Sequence, residues 1–260
     1  MATAMTINSD LIRLLNEEAE HFNRPEFVAA DPIQFPRRFS RLQDIEIAGL
    51  LSATIAWGNR KMICSNCEKM LSLMDYQPYN YVMDEGYEDL GERFNIHRTF
   101  FSTDFAYMLR GLRLIYKKYA SLDDFCNKSN VPQEALSPWH FAEHLGRAFA
   151  EANDELTNSR CLPVNLQSTA LKRINMLLRW LVRDDGIVDL GVWRSLKPSQ
   201  LFIPLDVHVI NTATALGLLS RKQADRKGAV SLTDTLRPLR PEDPAVYDFA
   251  LFGIGIMTKK

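Results

Sequence analysis

Cysteine is scarce, with four in 260 residues (Cys64, Cys67, Cys126 and Cys161). The opening MATAMTINSD has neither the basic segment nor the apolar core of an export signal, so a cytoplasmic protein without a disulfide framework is expected. No apolar run approaches the roughly 20 residues that a membrane helix requires. Alternating apolar and polar runs of strand length are missing, and so is any two-residue hairpin signal. The sequence has no internal repeat, no low-complexity stretch, no Walker motif and no glycine-rich dinucleotide turn. Cys64 and Cys67 form a C-x-x-C, but inside the helical pattern Ile63, Cys67, Met70, Leu71, Met74. The H-x3-H pair His140 and His144 lies more than 70 residues further on. No metal site and no cofactor are therefore expected.

What is present suits one globular unit over residues 1–260, with a single core or two lobes sharing an interface. Hydrophobic residues make up 46% and charged residues 24%, the balance of an ordinary globular chain. The net charge is only -1, yet it is unevenly spread. From Arg160 to Arg240 there are 13 lysines and arginines against 6 acidic residues, an excess of +7 that leaves -8 elsewhere. Such an asymmetry fits either a nucleic-acid surface or separate solvated faces.

Nearly every periodic segment has helical spacing, and the class expected is all-α. Asn8 or Ser9 can cap a first helix through Leu11, Leu14, Leu15 and Phe22. After the proline-punctuated AADPIQFPRR comes a helix with Ile47, Leu50, Leu51, Thr54 and Ile55 on one face, stopping near Gly58. Another runs from about Asn59 to Met74. Residues 77–101, rich in tyrosine, glycine and acids, suggest loops with a short helix. Further helices are expected from Ser102 or Thr103, from Ser137-Pro138, within Asp225–Leu239, and from Asp243-Pro244.

Two residues stand at helix starts in the basic stretch. Lys172 opens STALKRINMLLRWLV, where Ile174, Leu177, Leu178 and Leu181 form an apolar stripe opposite Asn175, Arg179 and Arg183. Asp206 follows Pro204-Leu205 and precedes a run that Gly217 can close, the setting of an N-cap. A lysine at a helix start opposes the macrodipole. It is either a surface cation or, if desolvated, an amine nucleophile.

The segment IPLDVHVINTATALG resembles the one in helix-hairpin-helix DNA glycosylases, the superfamily of endonuclease III and 8-oxoguanine glycosylase, in which a Val/Leu-Asp-x-His run carries a catalytic aspartate at a helix start. Leu205, Asp206, Val207 and His208 match it. DIEIAGLLSATIAWGNRKMI is similar to the early helix of those enzymes, and ALKRINMLLRWLV to the second helix of their hairpin, where the catalytic lysine sits. The overall likeness is greatest to an uncharacterised bacterial family distantly related to the glycosylases. The resemblance implies an all-α fold of two subdomains flanking a cleft. One would be a helical barrel over approximately 40–183 that includes a degenerate hairpin; the other would combine 1–39 with 184–260.

It also implies base excision on damaged duplex DNA, with possible strand nicking. Lys172 would form a Schiff base at the sugar, and Asp206 would stabilise the developing charge. Arg173, Arg179, Arg183 and His208 would contact phosphates. Thr54 and Trp57 would line the base pocket, and Trp57, Asn59 and Arg60 would fill the gap or face the orphan base. The chain departs from the pattern in three places. PVNLQSTAL before Lys172 lacks the two hairpin glycines. The arm RDDGIVDLGVWRSLKPS lengthens the spacing to Asp206, as in the archaeal 8-oxoguanine glycosylase type. No four-cysteine iron–sulfur loop precedes the final Lys260. The alternative reading is a non-catalytic nucleic-acid-binding or protein-interaction module on the same scaffold.

Overall fold

Side-chain caps start half of the α-helices in the computed structural model, which describes residues 7–257. In chain order they are α1 (Ser9–Phe22), α2 (Pro25–Ala29), α3 (Leu42–Thr54), α4 (Arg60–Leu73), α5 (Pro78–Met83) and α6 (Ser102–Lys118), then α7 (Leu122–Asn127), α8 (Pro138–Glu151), α9 (Lys172–Val182), α10 (Val207–Ala215), α11 (Arg226–Leu236) and α12 (Tyr247–Met257). Asn8, Asn59, Ser121, Ser137, Asp206 and Asp225 each turn a side-chain oxygen onto a free N–H of the first turn. Helix accounts for 61% and strand for 3% of the structure, so the class is all-α.

Three expectations need correction. First, residues 77–101 hold, besides α5, a small antiparallel hairpin of β1 (Asn95–His97) and β2 (Phe100–Phe101). Strands of three and two residues are too short to show a period. Second, Asp243 does not cap the last helix. Pro244–Val246 form a 3-10 turn that runs into α12, while the Asp243 carboxylate binds Arg183. Third, α3 is not one-faced: ten consecutive residues, Ile45 to Thr54, are buried.

α3 packs on α9, α4 and α5, while α6 lies along α8. The two ends of the described chain meet: α1 packs on α12, and α12 on α10. Gly253 permits the first of these contacts, because a Cβ there would lie 2.0 Å from the Phe22 ring. The buried apolar residues of all these helices join in one core.

Candidate active-site cleft

α9 and α10 begin side by side. No helix forms between Glu151 and Lys172, and the stretch before Lys172 is held by long-range contacts. Thr169 bridges Asp225, and Arg226 N–H donates to Ser168 O at 2.8 Å. The chain then turns into α9 through Leu171, which takes the left-handed conformation at φ 52°. Where glycine is absent, a buried leucine adopts the conformation glycine favours. Asn175 secures it from inside the helix: its N–H donates to Leu171 O at 2.8 Å and its side-chain amide to Ala170 O at 2.9 Å.

Lys172 follows at once. Its Nζ donates to Ala56 O at 2.9 Å, just past the end of α3, and lies 4.0 Å from Asp206 Oδ2. Asp206 Oδ1 accepts the N–H groups of His208 and Val209 at 2.9 and 3.0 Å, which caps α10. One carboxylate oxygen thus serves the helix while the other faces the lysine.

Both residues line a cleft of about 950 Å³. Trp57, Phe27, Phe249 and Phe252 give it aromatic walls, and the carboxyl groups of Asp31 and Asp248 also border it. Burial pushes the Asp31 carboxyl above its ordinary range against the pull of Arg60, whose guanidinium is 3.8 Å from its Oδ2. The same guanidinium stands 4.6 Å over the Phe252 ring. Burial raises Asp248 to about 6; Arg179 opposes the shift and the Asp206 charge adds to it.

The structure gathers Trp57, Arg60, Lys172, Arg173, Asp206 and His208 around this cleft. The other residues expected at the site are engaged elsewhere or lie apart from the cleft. Arg179 and Arg183 are only 4% and 3% exposed. Arg179 pairs with Asp189 and Asp248, and Arg183 with Asp185, Asp189 and Asp243, so neither is offered to a phosphate. Asp185 and Asp189 come from the arm after α9, which folds back, whereas Asp243 and Asp248 come from the approach to α12 and from α12 itself and neutralise part of the positive excess internally. Arg173 borders the cleft but donates to Thr54 O and Arg160 O at 2.9 and 2.8 Å. Thr54 is buried and does not line the cleft. Asn59 is exposed, with its side-chain oxygen capping α4.

Sequence reading missed Phe27, Asp31, Asp248, Phe249 and Phe252. One signal was available for Asp248: it is the lone charge in the apolar helix YDFALFGIGIM. The C-x-x-C lies along α4, where burial drives the Cys67 thiol up to about 12. His144 stacks on Phe125 at 4.0 Å, and no group of three or more metal-ligating side chains occurs among the described residues.

A family model described as protein of unknown function DUF2400 matches residues 31–257. The chain belongs to that family. The DUF2400 span contains Lys172, Asp206 and every cleft residue named above except Phe27. Neither a curated protein nor a solved structure is matched.

Proposed function

We propose that the protein is a DNA base-excision glycosylase that works through a lysine Schiff base. The observation that carries this reading is the approach of Lys172 Nζ to Asp206 Oδ2, at 4.0 Å, in a cleft with aromatic walls. Its volume suits a drug-sized or nucleobase-sized group. Supporting it, α3 packs with α4, α5 and α9, whereas α12 packs with both α1 and α10, as two subdomains flanking a cleft require.

In this mechanism, a damaged nucleotide leaves the DNA stack and its base enters between the aromatic side chains. Lys172 first gives up a proton, for which Asp206 Oδ2 is an acceptor within reach of one bridging water. The amine lone pair then forms the Nζ–C1′ bond while the C1′–N bond to the base breaks. The base leaves with that electron pair and takes up a proton relayed by Asp206. A second proton lost from nitrogen accompanies opening of the sugar at O4′, leaving an iminium. Once that proton has passed to the base, the Asp206 carboxylate stabilises positive charge at the sugar. β-Elimination from the iminium nicks the strand.

The test is borohydride trapping on duplexes carrying 8-oxoguanine, uracil, an oxidised pyrimidine or an abasic site. A covalent adduct is expected with the wild type and none with Lys172→Ala, and the best substrate names the lesion. The lack of glycines before α9, and the hydrogen bond that ties Lys172 to Ala56 O, favour a second reading as a non-catalytic DNA-binding module. Salt-sensitive binding without an adduct would select it.

A further inference from the structure

The β1–β2 hairpin stands at the cleft mouth beside the turn that carries Trp57. Thr99, in its two-residue link, lines the cleft. Arg98 before it is exposed and sits in the left-handed region at φ 49°, a conformation that residues other than glycine adopt at a cost.

The surroundings impose that geometry. His97, with no exposed surface, places Nε2 2.9 Å from Trp57 O and Nδ1 2.8 Å from the Asn66 side-chain amide. A neutral ring satisfies both contacts, donating from Nε2 and accepting at Nδ1; burial lowers the His97 pKa in the same sense. The His97 ring also stands edge-on to Trp57 at 4.8 Å. Asn95 Nδ2 donates to Arg98 O at 2.5 Å, and Lys69 Nζ to Asn95 O at 2.7 Å. Gly58, at φ 98°, leaves room for the arginine: a Cβ there would lie 2.7 Å from an Arg98 guanidinium nitrogen.

The other arginines around the cleft are engaged. Arg60 pairs with Asp31, Arg160 with Asp104, Arg179 with Asp189 and Asp248, and Arg173 donates to two carbonyls. Among the described residues, Arg98 enters no ion pair and its guanidinium makes no hydrogen bond. A rigid, strained finger therefore presents an uncommitted guanidinium over the Trp57-Gly58 turn.

We propose that Arg98 grips a backbone phosphate of the DNA strand entering the cleft on the Trp57 side. This rests on the DNA reading above. The guanidinium fork suits two phosphate oxygens at once, and a preformed hairpin presents it with little ordering on binding. The contact would fix the strand beside Trp57 without reading its sequence.

The experiment is fluorescence anisotropy with a duplex bearing a tetrahydrofuran abasic-site analogue, titrated at several salt concentrations. It compares the full-length wild type with Arg98→Ala, Arg98→Gly and Arg98→Lys. Arg98→Ala and Arg98→Gly are expected to bind roughly tenfold more weakly near 0.1 M salt, with the log–log salt slope reduced by about 0.9. Arg98→Lys keeps the slope. Arg98→Gly relieves the backbone strain, so it should melt no lower than wild type, which separates lost contact from lost fold. Wild-type affinity and slope in both the alanine and glycine variants would overturn this inference while leaving the glycosylase reading to the trapping result. A wild type showing no salt-dependent binding to this duplex would overturn both.

Discussion

Asp206 divides its two oxygens between structure and chemistry, and substitution can separate them. Asparagine caps a helix as well as aspartate does, so Asp206→Asn should change unfolding free energy by less than about 0.5 kcal/mol. It removes the charge facing Lys172 and should slow adduct formation by about 100-fold or more. Asp206→Ala should match that loss and also cost about 1 kcal/mol in urea unfolding, the usual worth of a cap. Trapping by Asp206→Asn at the wild-type rate would reduce the residue to a cap. The capping role was legible in the sequence because an N-cap acts on N–H groups two and three residues away. The fate of Arg179 and Arg183 was not. Helical spacing put them opposite the apolar stripe, but Asp189 and Asp243 reach them from outside the helix and make that side interior too.

Among the elements, α3 shows where periodicity misleads. A helix surrounded by others buries its whole circumference, so its sequence has no polar face to find. Its one charged residue in the buried stretch, Glu46, has no exposed surface and ties several elements together. Oε2 accepts Leu122 N–H at 2.9 Å and Tyr116 O–H at 3.1 Å; Oε1 accepts Asp123 N–H at 3.0 Å and Trp193 Nε1–H at 2.8 Å. α6, the start of α7 and the arm after α9 are thereby joined to α3. Burial pushes the carboxyl up to about 7, while the four hydrogen bonds hold it down. Glu46→Gln is nearly isosteric, but its NH2 group must face two of those donors. It should lower stability by about 3 kcal/mol in urea unfolding, the scale of a buried charged network left unpaired. A loss below about 1 kcal/mol would mean that the four contacts do not act together. Helix starts were legible at this scale, whereas the hairpin and the irregular approach to Lys172 depend on partners such as Trp57 and Asp225, distant in sequence.

For the molecule as a whole, the closing of its two ends completes the cleft: α12, packed on α1 and α10, brings Asp248, Phe249 and Phe252 to face Lys172 and Asp206. That position gives the fold a pH dependence. Asp248 ordinarily titrates at 3.8 and burial raises it to about 6, so the folded chain holds this proton more tightly than the unfolded one. The resulting stabilisation is complete below the unfolded value and is lost as pH rises through the folded value. The melting temperature of wild type minus that of Asp248→Asn should therefore fall between about pH 4 and pH 6.5. A difference that grows over that interval would mean that Arg179 holds Asp248 ionised. By itself, the sequence determined the all-α class, many of the helix starts, and the placing of Lys172 and Asp206 at two of them, because capping and helical period act over one or two turns. Only tertiary structure decided that this lysine and aspartate meet, that two expected phosphate-binding arginines are buried in ion pairs, that Asp31 and Asp248 border the cleft, and that Arg98 stands over the Trp57-Gly58 turn. Those outcomes depend on contacts between segments far apart in the chain, which no local pattern encodes.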